Sequence, residues 1–266
     1  LNFIFILKFG GAFILNFSDT IILIPSRLGS TRLNKKPLLK INGIPLIIHV
    51  LNCAKSANLN VPIIVATDDH TIANEVKKHE GLVAMTSKDH VSGSDRIQEA
   101  LEKFDPERKY KKIIHLQGDL PNISGNLIKR LATVIQDVSK EIVTVVVKAK
   151  PEEFEDNSVV KAAIAFSNLK QNQNEVGNAL YFSRACIPTG NSTIWHHIGI
   201  YSWQRDTLEK FVKLKPSPLE QSEKLEQLRA LEAGMKIHSI VTDEHPIGVD
   251  TEQDLKKAEN YFKDLV

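Results

Sequence analysis

An uninterrupted apolar run, Thr20-Ile21-Ile22-Leu23-Ile24, opens directly onto Pro25-Ser26-Arg27-Leu28-Gly29-Ser30-Thr31-Arg32-Leu33-Asn34-Lys35-Lys36-Pro37-Leu38. A run that is apolar at every position, not at alternate ones, suits a strand covered on both faces, as in a parallel sheet flanked by helices. The segment after it sets Arg27, Arg32, Lys35 and Lys36 among Gly29, Ser30 and Thr31. Backbone N–H groups, hydroxyls and cations can converge there on one anion, which is phosphate chemistry. The plainer reading is a solvated basic loop, because runs of charge usually face water.

Strand and helix then alternate. Residues 44–54 carry apolar side chains at helical spacing, with Pro45 near the start where a missing N–H is harmless. Residues 61–69 form a second apolar run ending in Asp68 and Asp69, 71–79 suit a helix, and 82–86 a third strand. The loop 87–96 opens a helix reaching about Lys103, with Ser92 or Ser94 as its cap. Arg96 falls in the first turn, where the helix dipole prefers anions, and this favours a functional role over a structural one. Residues 112–119 make a fourth strand that finishes in Asp119 after Gly118. Ligands of open parallel sheets sit outside the carboxyl ends of strands, so Asp119 and the Arg27 loop are candidates for one crevice.

Beyond a strand at 142–147 the pattern changes. Residues 159–166 and 178–184 flank an Asn/Gln-rich turn and read as two antiparallel strands, within an arm of about residues 155–200 that can pair with a second subunit. Residues 195–203 alternate, with Ile198 and Ile200 pointing one way and His197 and Tyr201 the other. With the isoleucines in the core, His197 and Tyr201 share a face that can meet a ligand; a lone strand histidine otherwise is a hydrogen-bonded structural residue. Residues 219–233 read as one helix stopped by Gly234, with Glu226 and Gln227 solvated by default. A strand over 236–241, then Gly248-Val249-Asp250-Thr251, then a helix over 252–264 capped by Thr251 or Asp250 complete the chain. No repeat or linker divides it. The expected fold is α/β, with a Rossmann-like, mostly parallel sheet flanked by helices, an antiparallel arm, and a single domain over residues 20–266.

Charge limits the partners. A net charge of +2, from 34 basic and 32 acidic residues, gives no global field, so any basic site is local and a nucleic-acid role is disfavoured. Cys53 and Cys186 show no metal or disulfide spacing, and a reducing cytoplasm is the simplest home. The first nineteen residues are apolar but interrupted by Lys8, Gly10 and Gly11. They fall short of the roughly 20 apolar residues of a membrane span and lack the flanks of a signal peptide. They are expected to lie outside the fold, as upstream sequence read from a wrongly assigned start, and no stable membrane association is expected.

Asp119 and Asp250 each close a turn after a glycine. Hard carboxylate oxygens together with phosphate-holding cations are what a magnesium-nucleotide site needs. Strand-end aspartates also cap helices, so spacing alone leaves the role of Asp250 open. The absence of a Walker loop and of GxGxxG at the first strand disfavours kinase and NAD readings.

At these residues a resemblance enters. Pro25-Ser26-Arg27, Ser30-Thr31-Arg32-Leu33 and Lys36-Pro37-Leu38 resemble the N-terminal signature of the sugar-acid cytidylyltransferases. From about Thr20 onward the chain resembles the branch that activates 3-deoxy-manno-octulosonate (Kdo). Ala66-Thr67-Asp68-Asp69, Ser92-Gly93-Ser94-Asp95-Arg96, Gln117-Gly118-Asp119, Tyr181-Phe182-Ser183-Arg184, His197-Ile198-Gly199-Ile200-Tyr201, Leu225-Glu226-Gln227-Leu228-Arg229 and Gly248-Val249-Asp250-Thr251 follow in order.

The resemblance implies a nucleotidyltransferase fold that transfers CMP from CTP to Kdo for lipopolysaccharide synthesis, with Mg2+, in a cytoplasmic homodimer. It implies that Arg27, Arg32 and Lys36, with Ser30 and Thr31 in the same loop, hold the CTP phosphates, and that Gln117 and Arg96 lie around cytosine and ribose. By the same resemblance Asp119 and Asp250 bind the metal, and Arg184, His197, Tyr201, Glu226 and Gln227 hold the sugar acid. Arg27, Arg32, Lys36 and Asp119 are the implied catalytic set. The alternatives are a relative using another sugar acid such as sialic acid, or a non-catalytic CTP-binding relative. One departure is Leu120, where the family commonly has Glu in Gln-Gly-Asp-Glu-Pro; it puts the tuning of the metal site in question.

Overall fold

The computed structural model describes residues 8–9, 12–13, 16–29, 33–166, 175–190 and 192–264. Ser30, Thr31 and Arg32 lie outside the described residues, as do the Asn/Gln-rich turn and most of the first nineteen positions. Phe17 is buried in the main core, so the fold reaches back before Thr20.

The first apolar run forms β1 (Thr20–Ser26), buried along its whole length. Then α1 (Leu46–Ser56), β2 (Ile63–Thr67), α2 (His70–Lys78), β3 (Leu82–Met85), α3 (Gly93–Phe104) and β4 (Lys112–His115) alternate as the periodicity predicts. β2 and β4 flank β1 on opposite sides and β3 adds beyond β2, all in parallel register. The chain builds outward from β1 on one side and returns to the other, which leaves a topological switch point between β1 and β4. Ile22 and Ile24 enter one core layer, Ile21 and Leu23 the opposite one.

After α4 (Gly125–Val134) and β5 (Ile142–Lys148), β6 (Lys161–Ala165) and β7 (Val176–Ser183) pair antiparallel as expected. β8 (Trp195–Gln204) lies between β4 and β5, antiparallel to both. β9 (Ile237–Thr242) runs parallel to β5 and antiparallel to β7. The sheet order is β6-β7-β9-β5-β8-β4-β1-β2-β3. Seven of its nine strands run in one direction and β7 and β8 run against them, so the sheet is mixed with a parallel majority. β4 and β5 are spread apart, and β8 satisfies the backbone groups that each would otherwise leave unpaired.

The helix expected over 219–233 is broken. α5 (Arg205–Phe211) is followed by α6 (Pro218–Glu223) and α7 (Gln227–Glu232), and between them Lys224 adopts a left-handed φ of 58° that ends α6. The leucine spacing runs across this break because Leu225 and Leu228 are both buried in the same core layer. α8 (Glu252–Lys263) is capped by Thr251, whose hydroxyl accepts from Asp254 N at 3.2 Å.

Candidate active site

A cavity of about 620 Å3 opens at the switch point, lined by the ends of β1 (Pro25, Ser26), the loop residues Arg27, Gly29 and Lys36, the segment after β4 (Gln117, Gly118, Asp119), and Ser92, Gly93, Lys224 and Asp250. Closing the two strand ends over it requires a glycine: a Cβ on Gly118 would lie 2.6 Å from the Pro25 carbonyl oxygen.

Lys36 stands at its centre. Lys35, at a left-handed φ of 53° and exposed to water, turns the chain into the short 3-10 turn Lys36–Leu38, and buried Pro37 holds that turn in place. The Lys36 Nζ donates to Asp119 Oδ2 at 2.8 Å and to Asp250 Oδ1 at 2.9 Å. Burial alone would lower the ammonium pKa, but the two carboxylates outweigh it and raise the group above its ordinary value. A backbone bond from Val249 N to Asp119 O, at 3.0 Å, zips the two aspartate segments together. Because Thr251 caps α8, the Asp250 carboxylate is turned to Lys36 instead of the helix end.

This arrangement fits a hard divalent ion. Two carboxylate oxygens from separate segments already converge on one cation, as an oxygen-ligated Mg2+ with remaining positions for water and phosphate requires.

The amino end of α3 faces the same space. Ser92 caps the helix by accepting from Asp95 N at 3.1 Å, and Ser92 and Gly93 line the wall, so the orphan N–H groups of the first turn are available to an anion. Arg96 also lines the cavity, but its guanidinium is spent on the protein: Nη1 donates to Thr86 Oγ1 at 2.6 Å and to the Ser87 carbonyl at 3.2 Å, and Nη2 to Asp68 Oδ2 at 3.1 Å. The two carboxylates closing the second apolar run thus have structural duties, Asp68 on Arg96 and Asp69 capping α2.

None of the residues expected around the sugar acid lines the cavity; Glu226 reaches the first turn of α3 at its edge. It is half-buried, it accepts from Ser94 Oγ at 3.2 Å, and burial raises its carboxyl pKa. Its Oε1 has no hydrogen-bond partner among the described residues and lies 4.0 Å from Arg229.

His197, Tyr201 and Gln227 are buried and do not line the cavity. The face that His197 and Tyr201 share is filled by Phe182 and Trp203, because β8 has a core layer on each side. His197 exchanges a 2.9 Å hydrogen bond with the Thr144 hydroxyl. Arg184 follows β7 and donates from Nε to the Glu223 carbonyl at 2.9 Å and from Nη1 to the Asn157 carbonyl at 3.0 Å, and it does not line the cavity. Leu120 is buried in the core, with Gly248 over it, so it acts by packing the segment that carries Asp250. The sequence reading missed Lys224, whose left-handed turn no local pattern announces.

Known proteins resemble this chain over most of its length. The Cytidylyltransferase family profile matches residues 21–237. The protein named 3-deoxy-manno-octulosonate cytidylyltransferase in Rhodopseudomonas palustris strain HaA2 is 46% identical over 90% of this chain and 96% of its own length. The one of that name in Bartonella henselae is 48% identical over 90% of this chain and 97% of its own. A solved CMP:2-keto-3-deoxy-manno-octonic acid synthetase complexed with CTP superposes with a TM-score of 0.84 at 34% identity, covering 94% of this chain and 100% of that one. The chain therefore belongs to the cytidylyltransferase family, among the 3-deoxy-manno-octulosonate cytidylyltransferases.

Proposed function

We propose that this chain transfers CMP from CTP to the anomeric 2-hydroxyl of Kdo, giving CMP-Kdo for lipopolysaccharide synthesis. The observation that carries the reading is one ammonium, Lys36, held by Asp119 and Asp250 at the carboxyl ends of β1 and β4, in a chain whose relatives bear that enzyme's name. The 2-hydroxyl oxygen bonds to the α-phosphorus as the bond from that phosphorus to the bridging oxygen of the β-phosphate breaks. The hydroxyl proton is released and pyrophosphate departs. Positioning and charge stabilisation suffice, with no covalent enzyme intermediate.

In this reading Lys36 and Arg27, which line the cavity, hold the triphosphate together with Arg32, which lies outside the described residues, and the first turn of α3 adds backbone N–H donors. Gln117 at the wall suits an amide contact to the cytosine edge. Asp119 and Asp250 would hold Mg2+, which when bound supplies positive charge to the nucleotide oxygens. In this reading Glu226, bonded to Ser94 in the first turn of α3, is the group of the sugar-acid set that reaches substrate, with His197, Tyr201 and Gln227 as buried support behind it. A cytoplasmic homodimer paired through the β6–β7 arm completes the reading; Leu180, 64% exposed on β7, supports it.

Pyrophosphate release from CTP, measured in parallel with Kdo and with sialic acid under Mg2+, tests the assignment. Release that depends on Kdo is expected. CTP binding with no pyrophosphate released with either acid would overturn it.

A further inference from the structure

Outside the cavity, Glu153, His196 and His245 each bring one side-chain ligand atom within 4.8 Å of the others. They come from three separate pieces of chain. Glu153 closes the 3-10 turn Pro151–Glu153 after β5, His196 lies near the start of β8, and His245 sits in the segment from β9 to α8. None of them lines the cavity. His196 Nδ1 is 3.2 Å from Glu153 Oε1, and the other carboxylate oxygen accepts from Lys150 N at 2.8 Å. The Nδ1 of His245 is buried with no hydrogen-bond partner among the described residues, a costly state for an imidazole nitrogen unless something fills it.

We propose that Glu153, His196 and His245 form a second metal site, for a zinc-type divalent ion, that ties the turn after β5 and the start of β8 to the segment leading to Asp250. Two imidazoles and a carboxylate are a donor set that zinc takes in three-ligand sites, the fourth position being left to water. Tetrahedral coordination spaces such ligand atoms by about 3.3 Å, within reach of small rotamer changes from the arrangement seen. All three residues are half-buried, which leaves an entry path.

The nearby cation, Lys161, pairs in register with His196, but its Nζ is committed to the carbonyls of Asp156, Val159 and Arg184 at 2.7, 2.9 and 2.7 Å. Downstream of His245, Ile247 N donates to Asn122 Oδ1 at 2.8 Å and Val249 N to the Asp119 carbonyl at 3.0 Å. An ion at His245 thus braces the segment that delivers Asp250.

The test titrates the chelator-treated full chain with Co2+ in excess Mg2+, which occupies the Asp119 and Asp250 pair. One equivalent giving visible bands of tetrahedral type, displaced by Zn2+, is expected. His245→Ala and Glu153→Gln should each weaken binding at least about tenfold. Zn2+ at about a hundred times its dissociation constant should raise Tm by about 5 °C in the native chain and not in the variants. Glu153→Gln preserves side-chain shape and decides the matter if His245→Ala does not fold. Absence of the bands, binding unchanged in the variants, or binding lost only in Asp119→Asn would overturn the proposal.

Discussion

The two sides of the switch point hold their titratable groups in opposite states. At the ends of β1 and β4, Lys36, Asp119 and Asp250 are charged, mutually paired and open to a 620 Å3 cavity. Along β8 and β4, His197 and His115 are sealed and neutral: burial brings them to about 3 and about 4, and it pushes the Tyr201 hydroxyl well above its ordinary value. Topology makes the difference. Parallel strands that leave the sheet on either side of a switch point open a crevice, whereas a strand inserted between two others, with a core layer on each face, becomes a wall. On the proposed function the charged ends carry the chemistry and the aromatic strand holds the wall still.

The largest expected effect would break this contrast outright. Asp119→Ala and Lys36→Ala should each cut turnover at least about a hundredfold while the fold survives, and near-normal rates in either would remove the charged cluster from the reaction. Arg96→Ala comes next, because it strands the Asp68 carboxylate and vacates Thr86 and Ser87. Losing a buried pair's partner costs about 3–5 kcal/mol, so Tm should drop by about 10 °C. An unchanged Tm with weakened CTP binding would move Arg96 back to the nucleotide.

The sealed side makes a pH prediction. Because the folded pKa values of His197 and His115 lie below the ordinary 6.5, the unfolded chain takes up protons first on acidification. Their contribution to stability is complete above about pH 6.5 and is lost toward about pH 3 for His197 and about pH 4 for His115, at about 1.4 kcal/mol per pH unit for each group. Denaturant melts across that range should show the slope, and His197→Gln should remove one histidine's share. Smallest is Tyr201→Phe, expected to change the KM for Kdo by less than about threefold; a rise of more than tenfold, about 1.4 kcal/mol, would put that hydroxyl on the substrate.

Much of the charged side was legible in the residues. Apolar runs ending in Asp119 and beside Arg27 marked the carboxyl ends of parallel strands, and of the two serines open as the cap of α3 the structure uses Ser92. Asp250 stayed open because a strand-end aspartate and a helix cap look alike in one dimension; the bond from Asp254 N to the Thr251 hydroxyl makes Thr251 the cap, and the Asp250 carboxylate meets Lys36. The wall misled for a related reason. Alternation along β8 separates two faces but does not say that both are covered, so His197 and Tyr201 read as exposed to ligand. The leucine spacing over residues 219–233 concealed the left-handed turn at Lys224, and Arg96 looked misplaced until Asp68 and Thr86 were beside it. Glu153, His196 and His245 share no motif, and only the folded chain brings them together.

Asp250→Asn most directly separates the two fates of that residue, since it removes the charge facing Lys36 and leaves the Thr251 cap intact. With CTP, Kdo and Mg2+, kcat/KM for CTP should fall at least about a hundredfold, while Tm stays within about 2 °C. Wild-type kcat/KM would contradict the account and leave Asp250 a residue of the helix end.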